Sequence, residues 1–345
     1  MKALQYRSLG AAPEVVEIET PEPGPGQIRL KVTAAGVCHS DEFIMSLPKD
    51  QYSYGLPLTL GHEAAGVVDK VGAGVKHIDE GQSMAVYGPW GCGLCYECSS
   101  GRENYCRNAV QYGIAPPGLG APGAMAEYLI VDSARHLVPL GDLDPVKNVS
   151  LTDAGLTPYH AIKGSLEKLH SGSTAVVIGV GGLGHIAIQI LRALTPATVV
   201  ALDVDKAKLD LAASVGAQYS FPSEAGAVDM IKDLTNGLGV DAVFDFVTVQ
   251  STLDLGQAMV RSQGDQVLVG VGSGTLPVGL AATSSWETTI RAPYWGSRTE
   301  LFEVLELARD GAINVHTETF SLEKAPEAYE KLKNNELVGR AVVVP

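Results

Sequence analysis

Four of the five cysteines in this chain fall between residues 92 and 106. Cys92, Cys95, Cys98 and Cys106 follow the spacing C-x2-C-x2-C-x7-C. Four thiolates at such intervals complete a tetrahedral zinc shell, with sulfur about 2.3 Å from the metal, and leave no position for a substrate. We therefore expect a structural zinc in a lobe over residues 88–108, with Gly91, Gly93 and Gly101 permitting its sharp turns. A redox C-x-x-C pair is the rival reading, but it does not explain four cysteines at these intervals.

The fifth cysteine, Cys38, stands in "AAGVCHSDEF", and His62 and Glu63 stand in "LTLGHEAAG". A catalytic zinc takes about three protein ligands and keeps one position open. Cys38 and His62 can supply two of the three, and spacing alone does not find the third. Both are polar chemistry set into apolar strand sequence, which is costly unless it is used.

Gly179, Gly181 and Gly184 spell G-x-G-x-x-G, with Gly182 and Leu183 filling the last gap. In a dinucleotide-binding turn the first glycine allows the tight bend, the second lets a pyrophosphate approach the backbone, and the third lets a helix pack on the sheet. The helix that follows offers free N–H groups to the phosphates. Asp203 comes 19 residues after Gly184, at the end of the next strand. A carboxylate there accepts from the ribose hydroxyls and repels a 2′-phosphate, which favours NAD over NADP. Asp205 is a second candidate for that role, and no basic residue follows the strand before Lys206.

These groups need elements to hold them. The first 150 residues read as mostly β, with "IRLKVTAAGVC" and "AAGVVDKVGAGV" as strands and no helical period beyond about two turns. From "TAVVIGVGGLGHIAIQILRAL" (174–194) onward, buried strands alternate with helices, which implies a parallel, doubly wound sheet. "TVVALDVD" (198–205), "VDAVFDFV" (240–247) and "DQVLVGVG" (265–272) read as further strands. Residues 298–311 read as a helix stopped by Gly311, "SLEKAPEAYEKLKNNEL" as another capped by Ser321, and "GRAVVVP" as a closing strand.

With 345 residues, 46% of them hydrophobic and 19% charged, the chain has the size and composition of a two-domain globular protein. The net charge of −14 argues against a nucleic-acid partner, which needs basic surface. No apolar run approaches a membrane span, and "MKALQYRSLG" lacks a signal-peptide core. A cytoplasmic protein is expected, in which thiols stay reduced.

Taken together, C-H-S-D, G-H-E, the four-cysteine lobe ending in G-R-E-N-Y-C, the glycine turn and the terminal G-R strand resemble the zinc-dependent medium-chain alcohol dehydrogenase family. Bacterial NAD-dependent secondary alcohol dehydrogenases are the nearest branch, through "YGPWGCG", "LTDAGLTPYHA" and "PYWG". The resemblance implies an α/β protein in which a Rossmann doubly wound parallel sheet, residues 151–290, is inserted in a β-rich GroES-like catalytic domain, residues 1–150 and 291–345. It places the active site in the cleft between them and implies two zinc ions per chain, one catalytic and one structural, with NAD as cofactor. The third ligand of the catalytic zinc is then Asp153, where many relatives have cysteine. Carboxylate is an acceptable and slightly harder zinc ligand. By the same resemblance Glu63 lies beside the metal and Asp41 orients His62. Ser40 takes the alcohol proton and His39 ends the relay. Thr157 lies near the nicotinamide and Arg340 meets the cofactor phosphates. Phe43, Tyr54, Leu119, Tyr294 and Trp295 form an apolar substrate wall. The implied substrates are small alcohols and ketones, secondary alcohols before primary, oxidised reversibly by hydride transfer to NAD. A homodimer or homotetramer is implied, with "QVLVGVGSG" (266–274) as its self-pairing edge. The rivals are a polyol or amino-alcohol dehydrogenase of the same fold and, from another class, a non-catalytic NAD/zinc redox sensor. A polyol pocket would want polar lining where Phe43 and Trp295 stand, and a sensor has no use for Cys38, Ser40, His62 and Asp153 together.

Overall fold

A computed structural model describes residues 1–279 and 285–345. The chain divides into two units, one of Met1–Leu156, Trp295–Arg309 and Val315–Pro345, the other of Thr157–Tyr294 and Asp310–Asn314.

Strands of the first unit carry the alternation of half-buried sheets. In Ile28–Gly36, Ile28, Leu30 and Val32 point into the core while Lys31 faces water. Burying every second side chain stabilises such a strand by about 1.5–3 kcal/mol per large apolar residue. This strand is central in a seven-stranded sheet. Along it run Thr317–Ser321, Arg340–Val344, Ile28–Gly36, Glu63–Val71, Ser83–Val86 and Leu137–Pro139, with Tyr128–Val131 also paired to Ile28–Gly36. The C-terminal strand closes the sheet, with Val342 opposite Gly36 and Val343 opposite Ala35. A smaller sheet orders Glu14–Glu17, Lys2–Tyr6 and Leu58–Thr59. The longest helix of this unit is Arg298–Arg309. His39–Ser46 leaves the end of Ile28–Gly36 and begins at Cys38.

Strands of the second unit read differently. Every residue of Thr174–Ile178 and of Val240–Asp245 is buried, as in sheets covered on both faces. Six parallel strands run in the spatial order Tyr219–Pro222, Thr198–Asp203, Thr174–Ile178, Val240–Asp245, Val260–Leu268, Thr289–Arg291. Numbered along the chain this is 3-2-1-4-5-6, the order whose reversal beside the first strand creates a dinucleotide crevice at the carboxyl ends.

Some expectations change. The helix expected from Ser321 starts as a single 3-10 turn, Leu322–Lys324, and becomes α-helical over Ala325–Lys333. Ser321 makes no side-chain cap there; Pro326 lies at the start of the α-helix instead, where its missing N–H costs nothing. The expected self-pairing edge also needs correction. Val267 lies inside the sheet, paired to Phe244 on one side and Arg291 on the other. Among the described residues the outermost strand on that side is Thr289–Arg291.

Candidate metal and cofactor sites

Cys38 sits where the strand Ile28–Gly36 turns into the helix His39–Ser46, and His62 immediately precedes the strand Glu63–Val71. These two strands are antiparallel neighbours, with Gly36 opposite Glu63, so pairing alone brings Cys38 and His62 to one end of the sheet. Asp153 follows the turn Val149–Thr152. Ligand atoms of Cys38, His62, Glu63 and Asp153 all lie within 4.8 Å of one another. Asp153 Oδ2 is 3.6 Å from Cys38 Sγ and 3.4 Å from His62 Nε2. Ligands at ordinary zinc distances and tetrahedral angles stand apart by about 3.6 Å for sulfur and oxygen and about 3.4 Å for nitrogen and oxygen. Both edges that meet at Asp153 thus match a zinc shell, and Cys38 and His62 stand within the 4.8 Å that contains the whole cluster. Charge fits as well, because one thiolate and one carboxylate balance a divalent cation.

The environment favours a cation. Burial alone would lower the pKa of His62, yet the Asp41 and Cys38 charges and the Asp153 carboxylate hold it well above its ordinary value. His62 Nδ1 is 2.9 Å from Asp41 Oδ1. A proton kept on Nδ1 by that carboxylate leaves Nε2 free to ligate. The hydroxyl of Tyr329 donates to the other Asp41 oxygen, Oδ2, at 2.8 Å. Burial and that carboxylate push the Tyr329 hydroxyl well above the usual phenol range, so it stays a donor.

Glu63 is fully buried, and its Oε2 has no hydrogen-bond partner. Burial pushes its carboxyl up to about 7, against the pull of the Arg340 guanidinium. An orphaned carboxylate oxygen beside three ligand atoms is costly unless a cation answers it. Gly36 makes this arrangement possible: a Cβ at that position would come within 1.7 Å of Glu63 Oε2.

Arg340, expected at the cofactor phosphates, lies beside Glu63. Only 3% exposed, its guanidinium is paired with Glu63 Oε1. A buried guanidinium takes the nearest buried carboxylate, since an unpaired charge there is prohibitive. The remaining expected groups fall as follows. Ser40 Oγ is 3.7 Å from Cys38 Sγ. His39 faces outward, its side chain 55% exposed and its Nδ1 3.0 Å from Glu42. Trp295 is buried edge-on to His62, with ring centroids 5.5 Å apart at 87°, and its indole N–H donates to the Thr152 carbonyl at 2.9 Å. Tyr54 and Leu119 pack against the core of the first unit. Phe43 and Tyr294 are exposed. Thr157 is buried in the helix Leu156–Lys163.

The four cysteines of the lobe also gather. Cys92–Cys98, Cys95–Cys98 and Cys95–Cys106 sulfurs are 4.0, 3.4 and 3.9 Å apart, bracketing the edge of about 3.8 Å that a tetrahedral zinc–sulfur shell requires. The N–H groups of Leu94 and Asn108 and the N–H of Cys92 donate to sulfurs of the cluster, as suits thiolates. The Leu94 donor helps to bring the Cys92 thiol down to about 6, while burial pushes Cys98 up. Gly93 and Gly101 take the left-handed conformation, at φ +75° each, but Gly91 does not. Its role is room: a Cβ at Gly91 would lie 2.7 Å from Cys98 Sγ.

In the second unit the three glycines of the turn behave as three different cases. Gly179 has φ +87°, closed to most side chains. A Cβ at Gly184 would meet the Gly179 carbonyl oxygen at 1.9 Å, whereas one at Gly181 would meet nothing within 4 Å. The open space over Gly181 is what an approaching pyrophosphate requires. The helix Gly184–Leu194 begins here without a side-chain cap, as a helix N-terminus that receives an anion does, although His185 N–H already donates to the Gly181 carbonyl at 3.3 Å. Asp203, 7% exposed, reaches back to the turn, its Oδ2 accepting from Val180 N–H at 2.7 Å and its Oδ1 from Asp205 N–H at 2.9 Å. Asp205 is used differently, capping the helix Lys206–Ser214 through Ala207 N–H.

A nucleotide-type parallel sheet in one unit, with an open metal cluster and a closed thiolate lobe in the other, defines a zinc-type dehydrogenase. Residues 24–142 match the alcohol dehydrogenase GroES-like domain and residues 182–310 the zinc-binding dehydrogenase family. The chain belongs to the zinc-type medium-chain alcohol dehydrogenases. It is 34% identical to an NAD-dependent alcohol dehydrogenase of Sulfurisphaera tokodaii, over the full length of both chains. The alcohol dehydrogenase of Aeropyrum pernix superposes with a TM-score of 0.92 at 31% identity, covering all of both chains. An acetophenone reductase of Geotrichum candidum, solved in complex with NAD, superposes with a TM-score of 0.86 at 32% identity, covering 100% of this chain and 97% of that one.

Sequence reasoning missed Tyr329, the Glu63–Arg340 pair and the purpose of Gly36. Tyr329 shares a helix face with Ala325, Ala328 and Leu332, all buried, so its spacing signals only core. Gly36 could have been found from the strand pairing that sets it against a charged residue.

Proposed function

We propose that the protein is a zinc- and NAD-dependent alcohol dehydrogenase, oxidising secondary alcohols to ketones in preference to primary alcohols, and reducing ketones in reverse. The observation that carries this reading is the gathering of Cys38, His62 and Asp153, with Asp153 Oδ2 at zinc-shell distances from Cys38 Sγ and His62 Nε2. Zinc held there supplies Lewis acidity to the substrate oxygen, and NAD supplies the hydride acceptor. The chain's own groups do the rest. Asp41 fixes the His62 tautomer. Ser40, beside Cys38, takes the hydroxyl proton, and the exposed His39 passes it to solvent. Cys92, Cys95, Cys98 and Cys106 hold a second zinc that shapes the lobe.

In this reading the Thr157–Tyr294 unit binds the cofactor. The turn at Gly179–Gly184 receives the pyrophosphate, and Thr157 lies near the nicotinamide. Asp203 keeps lone pairs for the ribose hydroxyls beyond the two N–H groups it accepts. Trp295, set against His62, gives the metal an apolar neighbour and, with Phe43, favours hydrophobic substrates over polyols. The likeness to an acetophenone reductase supports a ketone-forming reaction. The Glu63 pairing of Arg340 gives that residue a supporting place beside the metal. We further propose a homodimer or homotetramer working in the cytoplasm. Five free cysteines suit a reducing compartment, and no described helix is long and apolar enough to cross a membrane.

The test is a substrate series followed by NADH absorbance. 2-Propanol and 1-phenylethanol should give higher kcat/KM than 1-propanol and benzyl alcohol, and NAD should outperform NADP. Faster turnover of sorbitol or threonine than of any simple alcohol would move the enzyme to the polyol or amino-alcohol class.

A further inference from the structure

The C-terminal helix Ala325–Lys333 packs against the helix His39–Ser46, and one polar contact joins them. Tyr329 hydroxyl donates to Asp41 Oδ2 at 2.8 Å, and Asp41 Oδ1 is 2.9 Å from His62 Nδ1. Asp41 is wholly buried and Tyr329 nearly so, so solvent does not reach the carboxylate. Among the described residues each Asp41 oxygen has one side-chain partner, and the two partners fix its plane. Because one carboxylate oxygen must face Nδ1 for Nε2 to ligate, the setting of that plane sets the imidazole. Nothing in the alcohol dehydrogenase reaction requires a phenol at this place, and the residue lies 288 positions from its partner.

We infer that Tyr329 is a positioning residue for the catalytic metal, holding Asp41 so that His62 presents Nε2 to zinc in one orientation and one tautomer. The inference rests on the reading of Cys38, His62 and Asp153 as the zinc ligands. Without the phenol, Asp41 Oδ2 becomes an unpartnered buried anion and the carboxylate is free to turn. His62 then loses its fixed orientation, and zinc is held less firmly. Partners of ligating histidines typically account for 10–100-fold in metal affinity or activity. Acting one bond further out, Tyr329 should account for the lower end, roughly tenfold.

Tyr329→Phe removes the hydroxyl and keeps the ring that packs with Ala325, Ala328 and Leu332, so the fold is retained. The experiment uses the zinc-loaded full-length enzyme and a chromogenic chelator, with the zinc of the cysteine lobe as internal standard. Release of the catalytic zinc should be roughly tenfold faster in Tyr329→Phe, and release from the lobe unchanged. With cobalt(II) in the catalytic site, the visible d–d bands should shift. In an Asp41→Ala background, which leaves the phenol no side-chain partner at residue 41, Tyr329→Phe should add nothing further. A Tyr329→Phe enzyme that melts lower but releases zinc at the wild-type rate, with an unshifted cobalt spectrum, would make the tyrosine merely structural and overturn the inference. Additive effects in the double variant would overturn it too. A wild-type enzyme with no releasable zinc beyond the lobe would instead strike at the ligand assignment.

Discussion

Replacing Gly181 by alanine separates binding from folding at the glycine turn. A Cβ there meets no atom within 4 Å, and the backbone is not in the left-handed region. The folded state therefore tolerates the methyl, and reduced freedom in the unfolded chain stabilises the variant by about 0.4–1 kcal/mol. The same methyl stands where a pyrophosphate must approach the backbone. Losing one hydrogen bond to a charged phosphate costs about 1.5–3 kcal/mol, which raises the Kd for NAD roughly 10- to 150-fold. Gly184→Ala is the contrasting control. Its Cβ would lie 1.9 Å from the Gly179 carbonyl oxygen, so the turn must shift, at a cost of about 1–3 kcal/mol in stability. Calorimetric NAD titration and thermal melting of the two variants give both quantities. Gly181→Ala should melt at or slightly above the wild-type temperature while binding NAD weakly. Wild-type NAD affinity in Gly181→Ala, or a melting loss equal to that of Gly184→Ala, would refute the assignment of Gly181 to pyrophosphate approach.

Two further outcomes follow from the sites. Cys95→Ala should remove one zinc per chain and lower the melting temperature, with the other zinc still bound; retention of both metals would dismiss the lobe as a zinc site. Asp203→Asn drops the charge and keeps one oxygen for the two N–H groups of Val180 and Asp205, so the kcat/KM preference for NAD over NADP should narrow about tenfold. An unchanged preference would transfer cofactor choice to another residue.

The parts of this protein that a reader of the sequence could find are those written locally. The cysteine lobe is one loop, and its ligand spacing is the chemistry. The glycine turn is bounded by a strand of five buried residues and a helix of eleven, so its context was visible in hydrophobic pattern. The catalytic cluster is different. Cys38, His62 and Asp153 come from three separated segments, brought together by an antiparallel pairing and a 3-10 turn, and only resemblance to a family suggested Asp153. Arg340 has a partner that neither spacing nor resemblance named, since Glu63 stands 277 positions away in the chain. Val267 shows where the sequence reading misleads, since a run of apolar β-formers reads alike whether it lies at an edge or inside a sheet.

Zinc content and NADH formation, measured together on the wild type and Asp153→Ala, decide whether Cys38, His62 and Asp153 hold the catalytic metal. The wild type should hold two zincs per chain and oxidise 2-propanol with NAD. Asp153→Ala should hold one zinc, show no detectable turnover and bind NAD as the wild type does. Two retained zincs with undiminished turnover in Asp153→Ala would contradict Asp153 as a ligand of the catalytic metal.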